Sequence, residues 1–369
     1  MKAATTPVQR PRDAKLLAVD AQGRLQHASR TALPRFLHAG DLLIANDAAT
    51  LPASLTGVHA ASGRAIEVRL AARRSLAVSE VHEFDAIVFG EGDHRTPTEH
   101  RALPPALRAG DVLQLGPLRA RVLRTLGHAR LIALRFDGTA DTIWAGIARH
   151  GKPIQYAHVQ QPLALWDVWT RVAALPVAFE PPSAGFVLDW HLLHDLRAQG
   201  VNFATLTHAA GISSTGDDAL DARLPFDEPY HLPASLLDAI GDARSEGGRV
   251  IALGTTVARA LEHAAAQPGG LRSGAGLATQ RIGAHTRLRV VDAIFSGTHE
   301  PGTSHHGLLQ AFASEATLQR IDAALAAGGY RTHEFGDSVL IEAQALTAAP
   351  RGTRKDNPAM TPSCSFSAP

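Results

Sequence analysis

The 369-residue chain holds a single cysteine, Cys364. One thiol excludes an intrachain disulfide framework and any cysteine-rich zinc site, and it fits a reducing compartment. Long apolar runs are also missing. No window approaches the roughly 18 consecutive apolar residues that cross a bilayer, and residues 1–20 lack the apolar segment of a secretory signal. The expectation is a cytoplasmic protein with no membrane association. Aromatic residues make up only 5% of the chain, so its core must be built from Leu, Val, Ile and Ala. An excess of charge is lacking too: 36 basic residues balance 35 acidic ones, for a net charge of +1. Net charge therefore gives no argument for a nucleic-acid partner. Lysine is confined to Lys2, Lys15, Lys152 and Lys355. Arginine dominance in an Ala- and Gly-rich chain is more simply compositional than a mark of RNA binding. There is no GxGxxG, P-loop, zinc signature, GxSxG or internal repeat.

What is present reads as a globular chain, 45% hydrophobic and 19% charged, long enough for two domains. Residues 1–14 and 343–369 carry too few packing residues to offset their ordering entropy and read as disordered. Residues 58–140 read as all β. Short runs such as Ile66–Leu70, Ala86–Phe89, Val112–Leu115 and Arg130–Phe136 are separated by turn signals, which suggests a small barrel or sandwich. Around that insertion, residues 15–57 and 141–342 read as one discontinuous α/β domain with a largely parallel sheet. Strands are expected at residues 16–19, 41–45, 201–206, 249–253, 288–295 and 339–341. Helices are expected at 188–199, 233–245, 257–265, 308–312 and 318–327.

Four segments at expected strand ends carry chemistry, where open α/β sheets place their ligands. Pro181-Pro-Ser183-Ala-Gly185 leads into a helix; its small residues admit close backbone approach to an anion, or Ser183 simply caps the helix. Thr205-Leu-Thr-His208 offers an imidazole titrating close to neutrality, although with 19 histidines any single one is more often structural. Gly254-Thr255-Thr256 turns a buried strand into a helix carrying Arg259 and Glu262. The hydroxyls can cap that helix or touch a ligand, and the two charges, three residues apart, can pair on its surface. Ser296-Gly-Thr-His299-Glu-Pro301, followed by His305 and His306, gathers three histidines and a carboxylate without the spacing of a zinc site, so no metal is expected.

Taken in order, these segments resemble the S-adenosylmethionine:tRNA ribosyltransferase-isomerases of queuosine biosynthesis. Gly40-Asp-Leu-Leu-Ile-Ala-Asn46-Asp47 with Leu51-Pro-Ala53 is similar to the family's N-terminal signature, and Pro182-Ser-Ala-Gly185 to its Pro-Thr-Ala-Gly turn. Arg249 to Glu262 is the nearest match. Val290-Val-Asp-Ala-Ile294, His299-Glu-Pro301, Tyr330 and Phe335-Gly-Asp337 resemble its C-terminal part. The resemblance spans about Leu16 to Glu342 and implies an α/β domain holding an inserted β-barrel.

It also implies the reaction. S-adenosylmethionine would donate its ribosyl group to the 7-aminomethyl-7-deazaguanine of tRNA, with rearrangement to epoxyqueuosine and loss of adenine and methionine. Under that implication His208, Glu228 and His299 are acid–base or ribose contacts, and Ser183, Gly185, Gly254, Thr255, Thr256 and Arg259 line the S-adenosylmethionine pocket. The partners are tRNA and S-adenosylmethionine, and the chain is expected to be a monomer. Several motif positions depart. The family's Gly-Leu-His-Phe is Gly185-Phe-Val187-Leu188 here, its Met-His-Ser-Glu-Tyr is Pro225-Phe-Asp-Glu228-Pro-Tyr230, and its Thr-Asn-Phe-His-Leu-Pro is Ser296-Gly-Thr-His299-Glu-Pro301. Swapping hydrogen-bonding partners in a site changes which substrate it accepts. A paralogue acting on another substrate, or a non-catalytic RNA-binding module, are the alternatives.

Overall fold

The structure is a computed structural model that describes residues 1–344. Nine of the described strands form one sheet, in the spatial order Gly274–Ala278, Glu228–Leu232, Asn202–His208, Leu42–Asn46, Val250–Leu253, Ala293–Gly297, Ser338–Glu342, Lys15–Val19 and Leu25–Ser29. Its centre is parallel, from Asn202–His208 across to Ala293–Gly297, and so is the pairing of Ser338–Glu342 with Lys15–Val19. The other pairs are antiparallel.

Parallel strands covered on both faces need apolar side chains in both directions, and the central sequences supply them. Leu42, Leu43, Ile44 and Ala45 are all fully buried. Period-two alternation then splits them. Leu42, Ile44, Val250 and Ala252 join a core under the helices Ala234–Ser245, Thr255–Ala266 and Glu315–Ala327. Leu43, Ala45, Ile251 and Leu253 face the helix Trp190–Ala198 on the opposite side.

Six further strands close into a barrel: Leu118–His128, Leu131–Phe136, Glu83–Phe89, Ala65–Ala72, Ser54–His59 and Val112–Leu115. Closure removes exposed strand edges. The barrel strands begin at Ser54 rather than 58. The helix Ala140–His150 sends Ile143 and Ile147 into the barrel core.

Besides the barrel boundary, the helix expected at 308–312 is Ser304–Leu309, and three further expectations differ for a visible reason. The N-terminal residues are tied down rather than disordered. Lys2–Ala3 pairs with Arg331–Thr332, Ala4 is buried, and Gln9 and Arg10 donate to the carbonyls of Asp167 and Leu188 at 3.0 Å each. The helix expected from residue 188 starts at Trp190, because Asp189 caps it by accepting from the Leu192 amide at 2.8 Å. The strand expected at 288–295 is Ala293–Gly297. The amides of Arg289, Val290 and Val291 donate instead to the Glu262 carboxylate, at 2.7, 2.9 and 2.8 Å, so no neighbouring strand takes them. The expected disorder of the C-terminal tail, and Cys364 with it, falls mainly on residues 345–369, outside the described residues. Among the described residues no helix is long and apolar enough to cross a membrane.

Candidate functional site

At the carboxyl ends of the parallel strands lies a cleft of about 340 Å³. Seven of the nine residues singled out from the sequence line it: Ser183, Glu228, Gly254, Thr255, Thr256, Arg259 and His299. They come from segments spread between Ser183 and His299. Parallel strands put all their carboxyl ends on one edge of the sheet, so the loops that follow them must meet there.

The helix Thr255–Ala266 points its N-terminus at the cleft, since Gly254, Thr255 and Thr256 all line it. Gly254 precedes it with φ 104°, a conformation only glycine adopts without strain. No side chain caps this end, so the first amides remain available to an anion. The Thr256 hydroxyl accepts from Asn46 Nδ2 at 3.3 Å. Asn46 also donates to the His208 carbonyl at 2.9 Å and accepts from the His208 amide at 3.0 Å. It thereby locks three strand ends together. Ser183 does not cap the helix behind it; Asp189 does.

Arg259 and Glu262 do not pair with each other. Arg259, 4% exposed, forms an ion pair with Glu228. It also donates to the carbonyls of Phe226, Ala278 and Gln280 at 2.9, 2.9 and 3.0 Å. The other Glu228 oxygen accepts from the Gly211 amide at 2.6 Å. Arg259 is thus fully engaged in fixing Glu228 and the cleft floor.

Two residues fall outside the lining. His208 is completely buried beneath Glu228, its Nε2 3.3 Å from a carboxylate oxygen. Burial drives its pKa down to about 4, with the Glu228 charge opposing and Arg259 assisting. His208 is thus a neutral imidazole packed behind Glu228, without access to the cleft. Gly185 is also buried; an added Cβ would lie 2.9 Å from Thr170 Cγ2, so its glycine serves close packing.

On the opposite wall, His299 Nε2 lies 2.9 Å from the Ser296 hydroxyl. Its ring stacks on His305, with centroids 4.8 Å apart. Burial and then the neighbouring His305, His306 and His333 hold the His299 pKa well below the usual value, which leaves it neutral.

Sequence reasoning missed Glu180, which lies one residue before the Pro181-Pro turn and lines the cleft at 7% exposure. The Tyr156 hydroxyl donates to it. Burial, with the nearby charge of Glu334 adding, raises the Glu180 carboxyl to about 7 against its hydrogen bonds from Ser213 and Tyr156. A carboxyl titrating near neutrality inside a cleft is suited to proton transfer. An isolated Glu between Phe179 and Pro181 gives no periodic signal. The Phe-Glu-Pro junction ahead of a Gly-containing turn was the only clue.

Fold and cleft together define a mixed α/β protein with a closed barrel and a cleft at parallel strand ends. Over residues 1–341 the chain matches the family described as queuosine biosynthesis protein. It is 33% identical to the S-adenosylmethionine:tRNA ribosyltransferase-isomerase of Sorangium cellulosum, across 92% of this chain and 94% of that protein. It is 31% identical to the protein of the same name from Thermus thermophilus, across 90% and 93%. A crystal structure of an S-adenosylmethionine tRNA ribosyltransferase from Thermotoga maritima aligns over 92% of this chain and 95% of that one, at 21% identity and a TM-score of 0.48. The chain belongs to the queuosine biosynthesis family of S-adenosylmethionine:tRNA ribosyltransferase-isomerases.

Proposed function

We propose that the chain transfers and isomerises the ribosyl moiety of S-adenosylmethionine onto 7-aminomethyl-7-deazaguanine in tRNA, giving epoxyqueuosine. The observation that carries this reading is the meeting of Glu228, Thr256 and His299 around one strand-end cleft in a chain of this family. In this reading the uncapped helix end at Thr255 and Thr256 receives the methionine carboxylate. Ser183 and Gly254 allow the nucleoside close to the backbone. His299 with Ser296 holds ribose hydroxyls, and Arg259 keeps Glu228 in place.

The reaction needs a base for the acidic proton beside the sulfonium. Glu180 is the cleft group best matched to that task at neutral pH. The proton beside the sulfonium passes to its carboxylate; overall, the carbon–nitrogen bond to adenine and the carbon–sulfur bond to methionine break, a carbon–nitrogen bond to the substrate amine and a carbon–carbon bond closing the five-membered ring replace them, and the amine gives up a proton.

The acceptor tRNA has a basic approach. A second cleft, of about 680 Å³, is lined by Arg73, Arg74, Arg124, Arg135, Arg223 and Arg281, and it meets the first at Pro225 and Arg281. Local clustering of arginine supplies what net charge does not. We place the protein in the cytoplasm as a monomer.

The test is mass spectrometry of nucleosides from precursor tRNA incubated with protein and S-adenosylmethionine, with calorimetry of S-adenosylmethionine alone. Epoxyqueuosine supports the reading; no heat at millimolar ligand removes it. A second reading, transfer to another acceptor, is favoured by Val187. It stands where the family carries histidine and is buried in an apolar cluster, so no polar group replaces the lost imidazole. Binding of S-adenosylmethionine without product on tRNA would select that reading.

A further inference from the structure

We propose that His158, His333 and Glu334 bind one divalent transition-metal ion of the zinc type on the wall of the cleft. One donor atom from each lies within 4.8 Å of the other two. His158 Nε2 is already 2.9 Å from a Glu334 oxygen. The two imidazoles stack with centroids 4.2 Å apart and planes inclined by 20°. Donors held about 2.1 Å from a shared ion sit roughly 3.4 Å apart in a tetrahedron, so binding closes the widest pair and turns one imidazole out of the stack, which brings the ion into the plane of both rings.

The backbone beneath His333 and Glu334 is held by a hydrogen-bonded turn. His333 has φ 69°, a left-handed conformation that fixes the direction of its side chain. Its carbonyl accepts from the Gly336 amide at 2.9 Å. The same turn is anchored by Asp337, which accepts from the amides of Lys15 and Arg331 at 2.8 Å each.

Two histidines and one carboxylate leave coordination positions open, as in hydrolytic zinc sites and non-haem iron sites. His333 and Glu334 line the cleft together with His299 and His305, so the open positions face that space. They would take an oxygen donor from a bound small molecule, such as a carboxylate or a pair of sugar hydroxyls. The donors lie too far apart in sequence, at 158 and 333–334, to form a spaced signature. That is why no metal was expected from the sequence. The site does not depend on the ribosyl-transfer reading, because metal binding is read without turnover.

The experiment is titration of the chelator-stripped full-length protein with zinc against a chromophoric chelator, and separately with cobalt(II) monitored by visible absorption. The expected result is one ion per chain, with cobalt d–d bands of low coordination number that zinc displaces. His333→Asn and the near-isosteric Glu334→Gln should each weaken binding more than the roughly 10–100-fold typical of outer-shell changes. The exposed-histidine control His191→Ala should bind as the unaltered chain does. Circular dichroism establishes that each variant is folded. Absence of stoichiometric binding, or binding unchanged in Glu334→Gln, overturns the proposal. The latter outcome would assign the ion to other histidines and leave His158 and Glu334 as an ion pair only.

Discussion

Arg259 and Glu228 form a buried ion pair that joins the helix Thr255–Ala266 to the strand Glu228–Leu232 at the floor of the cleft. Both are less than 7% exposed. Replacing only one partner leaves the other buried and uncompensated. Arg259→Met should therefore destabilise the fold by about 3–5 kcal/mol. Urea unfolding checks this. A loss below about 1 kcal/mol would mean that Glu228 protonates or relaxes to solvent at little cost.

Glu180, raised to about 7 by burial and the Glu334 charge, should leave two signatures. In activity, kcat/KM should rise with pH through an apparent pKa near 7, because the carboxylate is the working form. Glu180→Gln should lower the rate by roughly 10²–10⁴-fold and remove that limb. In stability the sign is opposite. The folded state holds the proton more tightly than the unfolded chain, so the stabilisation is complete below about pH 4.5 and is lost as pH rises through 7. The loss is at most about 3 kcal/mol. A profile whose limb survives in Glu180→Gln assigns it to another group.

His208 bends the same curve the other way. Burial lowers its pKa to about 4, so unfolded chains protonate it first as the solution is acidified. Its contribution is present above the unfolded value of about 6.5 and is lost as pH falls from there to about 4, again by up to about 3 kcal/mol. His208→Leu should flatten stability over that window, while a low-pH limb of kcat/KM, if present, should not move. A shifted kinetic limb would show that His208 exchanges protons with the reaction after all.

The division between what the sequence showed and what it hid follows from range. The central strands announced themselves because Leu42–Ala45 and Val250–Leu253 must be apolar in both directions, and turn glycines marked the barrel. Glu228, Thr256 and His299 could be placed at strand ends, and the topology brought them together. His208 sat at the right strand end too, but alternation turned its side chain under Glu228, and one residue of register is invisible in a motif. The strand expected from residue 288 failed because Glu262 captures three of its amides, a contact across 27 residues or more. Glu180 and the pair His333-Glu334 lack periodicity or spacing of any kind. Only the folded arrangement gives them neighbours.

The arginines of the second cleft should account for the salt dependence of tRNA binding. Arg124, Arg135, Arg223 and Arg281 are exposed there, and the cleft also carries Glu80, Glu83, Asp85 and Asp227. Arg135 is partly engaged, 3.4 Å from Glu83. Asp85 is raised above the ordinary range by burial, although Arg74, Arg124 and Arg223 pull it down. The six arginines of the groove outnumber its four carboxylates, which leaves positive charge for phosphates. Arg124→Ala and Arg223→Ala should each reduce the slope of log K against log salt by about 0.7–0.9, the release of one phosphate's counterions. The affinity for S-adenosylmethionine should not change, because neither arginine lines the first cleft. Filter binding of tRNA across a salt series measures the slope. An unchanged slope in the double variant would move the RNA path off this groove, whatever happens to absolute affinity.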